Sequence, residues 1–138
     1  MRTPFRLTSL MMLLSLGLGA CAPAKSASPR VFFSSPADGA TLASPVHVTL
    51  GSENFTVEPA GAVKAGAGHL HIMVDTPCLS AGSTIPKDAQ HLHYGKAQME
   101  ADLELTPGQH TLCLQAADGA HTALAGAGLT QQIKVTVK

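Results

Sequence analysis

Charge and aromatic surface are scarce in this 138-residue chain, where 13% of residues are charged, 4% are aromatic and one is tyrosine. Nine lysines and arginines balance nine acids. With no basic patch and a single tyrosine to stack bases, nucleic acid is excluded as a partner. The shortage of aromatic platforms also argues against a carbohydrate site. No apolar run reaches the roughly 20 residues that a membrane-spanning helix needs. No segment of ten or more residues carries clean helical periodicity, and a Ser-His-Asp arrangement, paired acids, a phosphate loop and a dinucleotide fingerprint are all missing.

The N-terminus points to a compartment. Arg2 and Arg6 form a basic start, and Leu7 to Leu18 form a short uncharged apolar stretch, the pattern of a secretory signal. It ends in Leu18-Gly19-Ala20-Cys21, which resembles the bacterial lipobox, where cleavage precedes a cysteine that takes the lipid. Residues 1–20 are therefore expected to be a lipoprotein signal peptide. Cys21 is then the lipidation site, and residues 21–30 are a small, polar, proline-containing tether. Ala22 is not the aspartate associated with inner-membrane retention. The expected address is the periplasmic face of the outer membrane, in a Gram-negative host. Removing the signal takes away two arginines and leaves 118 residues with net charge −2, which suits one domain, residues 31–138. The lipid, rather than a basic surface, is the membrane partner.

That domain reads as strands. Val31 to Phe33, Val46 to Leu50, Phe55 to Val57, His69 to Asp75, His91 to Tyr94, Met99 to Leu105, His110 to Ala116 and Gln131 to Val137 are short and punctuated by turns. Pro36-Ala37-Asp38-Gly39, Pro107-Gly108 and Asp118-Gly119 supply them. This rhythm predicts an all-β fold, a small immunoglobulin-like antiparallel β-sandwich; a barrel of similar strand count would read the same.

Against this plain background stands a doubled His-x-His: His69-Leu70-His71 and His91-Leu92-His93. On strands, side chains alternate between faces, so each pair shares one face. Leu70, Ile72 and Val74 point to the core, and His69, His71, Met73 and Asp75 point away from it. Two such pairs brought together would offer four imidazoles to one borderline transition metal, copper or zinc. His69, His71, His91 and His93 are the expected ligands. Asp75 could add a carboxylate or fix an imidazole tautomer, and Met73 could supply a thioether. His110, at the core side of a strand mouth, and His121, in a loop, are additional candidates for ligation or for orienting a ligand. His47 alternates between Val46 and Val48 and reads as a surface residue.

Lipidation of Cys21 leaves Cys78 and Cys113, which in an oxidising space can form a disulfide. A bridge closing a loop of this size stabilises by about 3–4 kcal/mol on the chain-entropy model. The alternative is thiolate ligation of the same metal. Cys113 lies in an apolar strand and Cys78 in a loop after Pro77, an arrangement that favours the disulfide.

Several stretches carry a family resemblance. PADGATLASPVHVTL, GAGHLHIMVD, IPKDAQHLHYGKAQMEADLEL, PGQHTLCLQAADGAH and the closing IKVTV resemble a bacterial secreted family, the domain of unknown function 4399, from about Phe33 to Lys138. Its specific parts fall on Gly68, His69 and His71; on His91, His93, Tyr94, Gly95, Lys96 and Gln98; and on Pro107, Gly108, His110 and Thr111. The chain departs from the pattern at Leu70 (a histidine in the family), at Ala97 (a glycine) and after His121, where no further histidine follows. The resemblance implies the domain's extent and the location of its site, and brings no activity with it.

Three functions follow from these residues. The first is a lipid-anchored periplasmic metal-binding module, with an envelope metal-handling protein as its partner. The second is a metalloenzyme. His69-x-His71 with Asp75 and Gly82 superficially resembles a first cupin motif, yet Val63 stands where that motif has glycine and no second motif follows. A superoxide-dismutase-like sandwich also uses His-x-His, but its flanking loops are not visible here. The third is a non-catalytic envelope interaction module with pH-sensitive histidine contacts. With no catalytic constellation in the sequence, binding is preferred to turnover.

Overall fold

A computed structural model describes residues 27–138; the expected signal peptide, Cys21 and most of the tether lie outside the described residues. Nine strands follow in order: β1 (Arg30–Ser35), β2 (Ala40–Leu42), β3 (Val46–Glu53), β4 (Thr56–Val57), β5 (Ala67–Val74), β6 (His91–Tyr94), β7 (Glu100–Leu103), β8 (Gly108–Ala117) and β9 (Thr130–Val137). A single 3-10 turn, Ala127–Leu129, precedes β9. The fold is an antiparallel β-sandwich. One sheet has the order β1-β3-β7, and the other has the order β2-β9-β8-β5-β4, with β6 also paired to β5.

Side-chain alternation builds the core between the sheets. Val46, Val48 and Leu50 of β3 are buried while His47 is exposed, the signature of a strand with one wet face. Val31 and Phe33 join them, and the larger sheet contributes Leu70, Ile72, Leu112, Leu114, Ile133, Val135 and Val137. Each aliphatic side chain fully withdrawn from water contributes about 1.5–3 kcal/mol. His47 meets Asp102 at 2.8 Å on the surface, across the register that pairs them on β3 and β7.

Two features depart from the sequence reading. Strand β2 is absent from it, because three residues carry too little periodicity; β2 forms by pairing parallel to β9, Ala40 beside Val135. The second departure bears on the site. The face of β5 that carries His69, His71 and Met73 is not open to water: all three are fully buried. Segments 75–90 and 118–124 cross over that face and bury it in a second, smaller core of Met73, Ile85, Cys113, Ala117 and Ala123, flanked by Cys78 and Leu79.

Three ties hold this cover down. Cys78 and Cys113 form a disulfide with Cα atoms 5.6 Å apart, so neither sulfur is left to act as a thiolate ligand. Gln115, almost fully buried, accepts a hydrogen bond from the Leu79 amide at 2.9 Å and donates one to the Leu79 carbonyl at 2.8 Å. The main chain then zips 82–85 to 121–123, with Gly82 N donating to Ala123 O and Ala123 N donating to Ser83 O.

Ile72 sits at the centre of this arrangement, fully buried between the sheets on the strand that carries the histidines. Ile72→Ala is expected to cost about 2–5 kcal/mol, measured as a lowered denaturant midpoint at unchanged m-value. A change below 1 kcal/mol would contradict the placement of β5 in the core.

Candidate metal centre

The register of β5 and β6 assembles the site. His71 lies directly opposite His93, and Met73 opposite His91; residues directly opposite on neighbouring strands share a face. His69, two residues before His71, is on that face as well. On the other side of β5, His69 is paired with Ala117 at the end of β8. The turn that follows Ala117 therefore runs beside His69 and brings in His121.

Four imidazoles converge. Ring centroids lie 4.8 Å apart for His69–His71, 4.9 Å for His69–His93, 4.8 Å for His69–His121, 5.1 Å for His71–His93 and 4.7 Å for His93–His121. Nε2 of His71 is 3.0 Å from Nε2 of His69, and Nε2 of His121 is 3.1 Å from Nε2 of His93. One ligand atom from each of His69, His71 and His93 can be chosen so that all lie within 4.8 Å of one another. Tetrahedral coordination with metal–nitrogen bonds near 2.0 Å requires nitrogens about 3.3 Å apart. The two Nε2 pairs are within a few tenths of an ångström of that spacing.

The polar accounts of the site are open. Nδ1 of His69 and Nδ1 of His71 are buried without a hydrogen-bond partner, a costly condition for a ring nitrogen. The close Nε2–Nε2 contacts require one ring of each pair to donate and the other to accept. A cation between them would accept a lone pair from each ring and remove that conflict. His69 and His71 form the buried floor, while His93 and His121 are half-buried at the mouth.

Each of the expected site residues has a definite place. His69, His71 and His93 come together. His91 is not among them: its Nδ1 is taken by Asp88 Oδ1 at 2.8 Å, and the Asp88 carboxylate, three residues upstream, is the sequence signal for that pairing. His121 stands in its place, carried on a turn built by Asp118, whose Oδ1 accepts from the amides of Ala120 and Thr122, each at 2.9 Å. This turn holds His121 at a positive φ of 69°. Met73 packs into the small core with the disulfide and fills space there. Asp75 and His110 pair with each other instead, Nδ1 to Oδ2 at 2.7 Å, while His110 Nε2 donates to the Thr106 carbonyl at 2.8 Å. Acceptors on both nitrogens favour the protonated ring, and His110 ties the end of β5 to the β7–β8 turn.

The sequence marks Gly95 only as part of a motif, and the structure gives it a physical job. A Cβ at this position would overlap Cε1 and Nε2 of the His93 ring, so the absent side chain leaves the space in which His93 lies. Gly95→Ala is expected to push His93 outward, because its half-buried ring can move more readily than the strand. Nuclear Overhauser contacts between His93 and His121 should disappear while those within β5 remain. Retention of the His93–His121 contact in that variant would contradict the packing.

Residues 48–138, more than half of the chain, match the model of the domain of unknown function DUF4399. The chain belongs to the DUF4399 family. No curated protein and no solved structure matches it.

The electrostatics of this DUF4399 domain keep the floor of the site neutral. Burial, reinforced by His69, His93, His121 and His91, lowers the His71 pKa to about 3. Burial with His121 and His93, partly opposed by Asp118, lowers that of His69 to about 4. His93 is also lowered, by burial and then by His121 and Lys87. His110 moves the other way, raised by the Thr106 carbonyl and the Asp75 carboxylate against its burial.

These shifts fix the sign of a pH dependence. The unfolded chain protonates His69 and His71 near 6.5, where the folded metal-free domain does not, so the unfolded state binds more protons below that pH. The stabilising contribution of the pair is complete above pH 6.5 and is lost as the pH falls through about 4 and 3. His110 contributes oppositely, with stability that is present below 6.5 and lost as the pH rises through its raised pKa. Denaturant midpoints of the metal-free domain should therefore fall between pH 7 and pH 4. His69→Asn/His71→Asn should flatten that slope, and an unchanged slope would contradict the assignment.

Proposed function

We propose that this DUF4399 domain is a metal-binding module that holds copper or zinc through His69, His71 and His93, with His121 as the fourth donor. The observation that carries the reading is the convergence of three imidazoles, two of them fully buried, with ligand atoms within 4.8 Å of one another. Neutral imidazoles suit both Cu(II) and Zn(II), and the Irving–Williams order favours copper where both are available. Because burial keeps His69 and His71 unprotonated, a metal does not have to displace a proton from them at neutral pH.

Ligand count favours binding over turnover. Four imidazoles complete a tetrahedral sphere, the pattern of closed sites, whereas catalytic zinc keeps a position for water or substrate. A cupin-like or superoxide-dismutase-like activity gains no support from the residues around the cluster. A pH-sensitive contact module gains little either, since the buried pair stays neutral between pH 5 and 7. The lipobox order at Ala20-Cys21 supports a lipid anchor and a periplasmic setting. In that setting the module would exchange metal with an envelope metal-handling protein.

Calorimetric titration of the mature protein with Cu(II) and with Zn(II) tests the reading. One site per chain is expected. His71→Ala should weaken it beyond the roughly 10–100-fold typical of losing an outer-sphere partner, while His91→Ala should stay within about 3-fold. Absence of stoichiometric binding, or equal damage from His91→Ala and His71→Ala, would overturn the reading.

A further inference from the structure

The turn that carries His121 does not stand alone. Its backbone is pinned from outside: Ile85 N donates to the His121 carbonyl at 2.8 Å, Ala123 N to Ser83 O at 2.9 Å and Gly82 N to Ala123 O at 2.8 Å. Thr84 and Thr122 form a bridge between the same two segments. The base of the turn is anchored to β8, with Leu124 N donating to Ala116 O at 3.1 Å and Ala117 bridged to Ala123; segment 79–85 is the splint along its outer side, against His121. Its own attachment to the sheet runs through Leu79, held by both amide atoms of Gln115, and through Cys78, bonded to Cys113. Gln115 lies opposite His71, and Cys113 opposite Met73, on neighbouring strands. The clamp thus grips the same part of the sheet that carries the buried histidines. His69, His71 and His93 sit on paired strands and need no such help. His121, the loop-borne member, does.

We propose that the Cys78–Cys113 disulfide and Gln115 are positioning groups for His121, so that the metal affinity of the site follows the oxidation state of this cysteine pair. The proposal rests on the metal-binding reading above. Oxidised, the cover holds His121 against His93 and the site has four donors. Reduced, segment 79–85 is held to the sheet by the Gln115 clamp and the packing of Ile85 alone, the splint loosens and the site falls back to three. The chemistry requires a dithiol reductant. Its thiolate attacks Sγ of Cys78, the less buried of the two residues, the S–S bond breaks, and fully buried Cys113 leaves as a thiolate that takes up a proton. The second thiolate of the reductant then attacks the mixed disulfide, closing its own disulfide and releasing Cys78 as a thiol. Two electrons pass from the dithiol to the cystine. By thermodynamic reciprocity, bound metal also favours the oxidised pair.

A double-mutant cycle on the mature protein, with Zn(II) as the probe, tests this. Cys78→Ser/Cys113→Ala removes the bridge without leaving thiols that could themselves bind metal. It should weaken Zn(II) binding by roughly 10–100-fold, the range seen when groups supporting a ligand are lost, and His121→Ala should do the same. Combined, the changes should weaken binding no more than His121→Ala alone, and Co(II)-loaded forms of the two variants should share one altered visible spectrum. Gln115→Met, which cuts the clamp with the bridge intact, runs through the same cycle and serves if the cysteine variant does not fold. Losses that multiply in the combined variant would overturn the proposal, as would a cysteine variant that binds like the wild type. Failure of the oxidised wild type to bind Zn(II) or Cu(II) would instead bring down the metal-binding reading, and this proposal with it.

Discussion

Strand β5 is buried on both faces, and the whole domain is arranged around that fact. One face presents Leu70 and Ile72 to the core between the sheets, and the other presents His69, His71 and Met73 to a second, thinner core. A strand interior costs little to bury when its side chains are apolar, but burying imidazoles without partners is costly. The structure accepts that cost at His69 and His71, whose Nδ1 atoms find no hydrogen-bond partner. It surrounds them with the half-buried rings of His93 and His121. A cluster of neutral nitrogens, enclosed and mutually repulsive when protonated, is poorly suited to solvent and well suited to a cation.

The cover over this face explains much of the rest. Without segments 75–90 and 118–124, His69 and His71 would sit on a wet sheet surface. The disulfide, the Gln115 clamp and the small core around Met73 and Ile85 hold the cover over the buried floor of the site. The same segments deliver His121. Enclosure and ligand supply are thus two results of one piece of folding. Asp75 is occupied by His110 and Asp88 by His91, while Asp118 turns its Oδ1 to the amides of its own turn.

The sequence was most legible where periodicity is long. Strand positions from β3 to β9 followed from alternation, and the parity of β5 separated Leu70 and Ile72 from His69 and His71 correctly. It left the burial of the far face open, since alternation reveals that two faces differ but not that a distant loop will cover one of them. The exchange of His91 for His121 has a similar origin. Both His-x-His pairs obey the same parity, and only Asp88, three residues before His91, distinguishes a ring that has a partner from one that does not. His121 sits beyond a tight Asp118-Gly119 turn at positive φ, where no periodic rule applies. Gly95 was visible as a motif residue, but its role depends on where the His93 ring lies, which is a tertiary fact. The Cys78–Cys113 pairing was the simplest inference, because only two cysteines remained to be joined.

The central claim is that one metal ion sits among imidazoles contributed by β5, β6 and the turn after β8. X-ray absorption at the metal edge of the loaded protein measures that directly. The account predicts a first shell of four nitrogens at about 2.0–2.1 Å, with the multiple-scattering pattern of imidazole rings and no sulfur. A shell containing sulfur, or one made mostly of oxygen with two imidazoles or fewer, would contradict it.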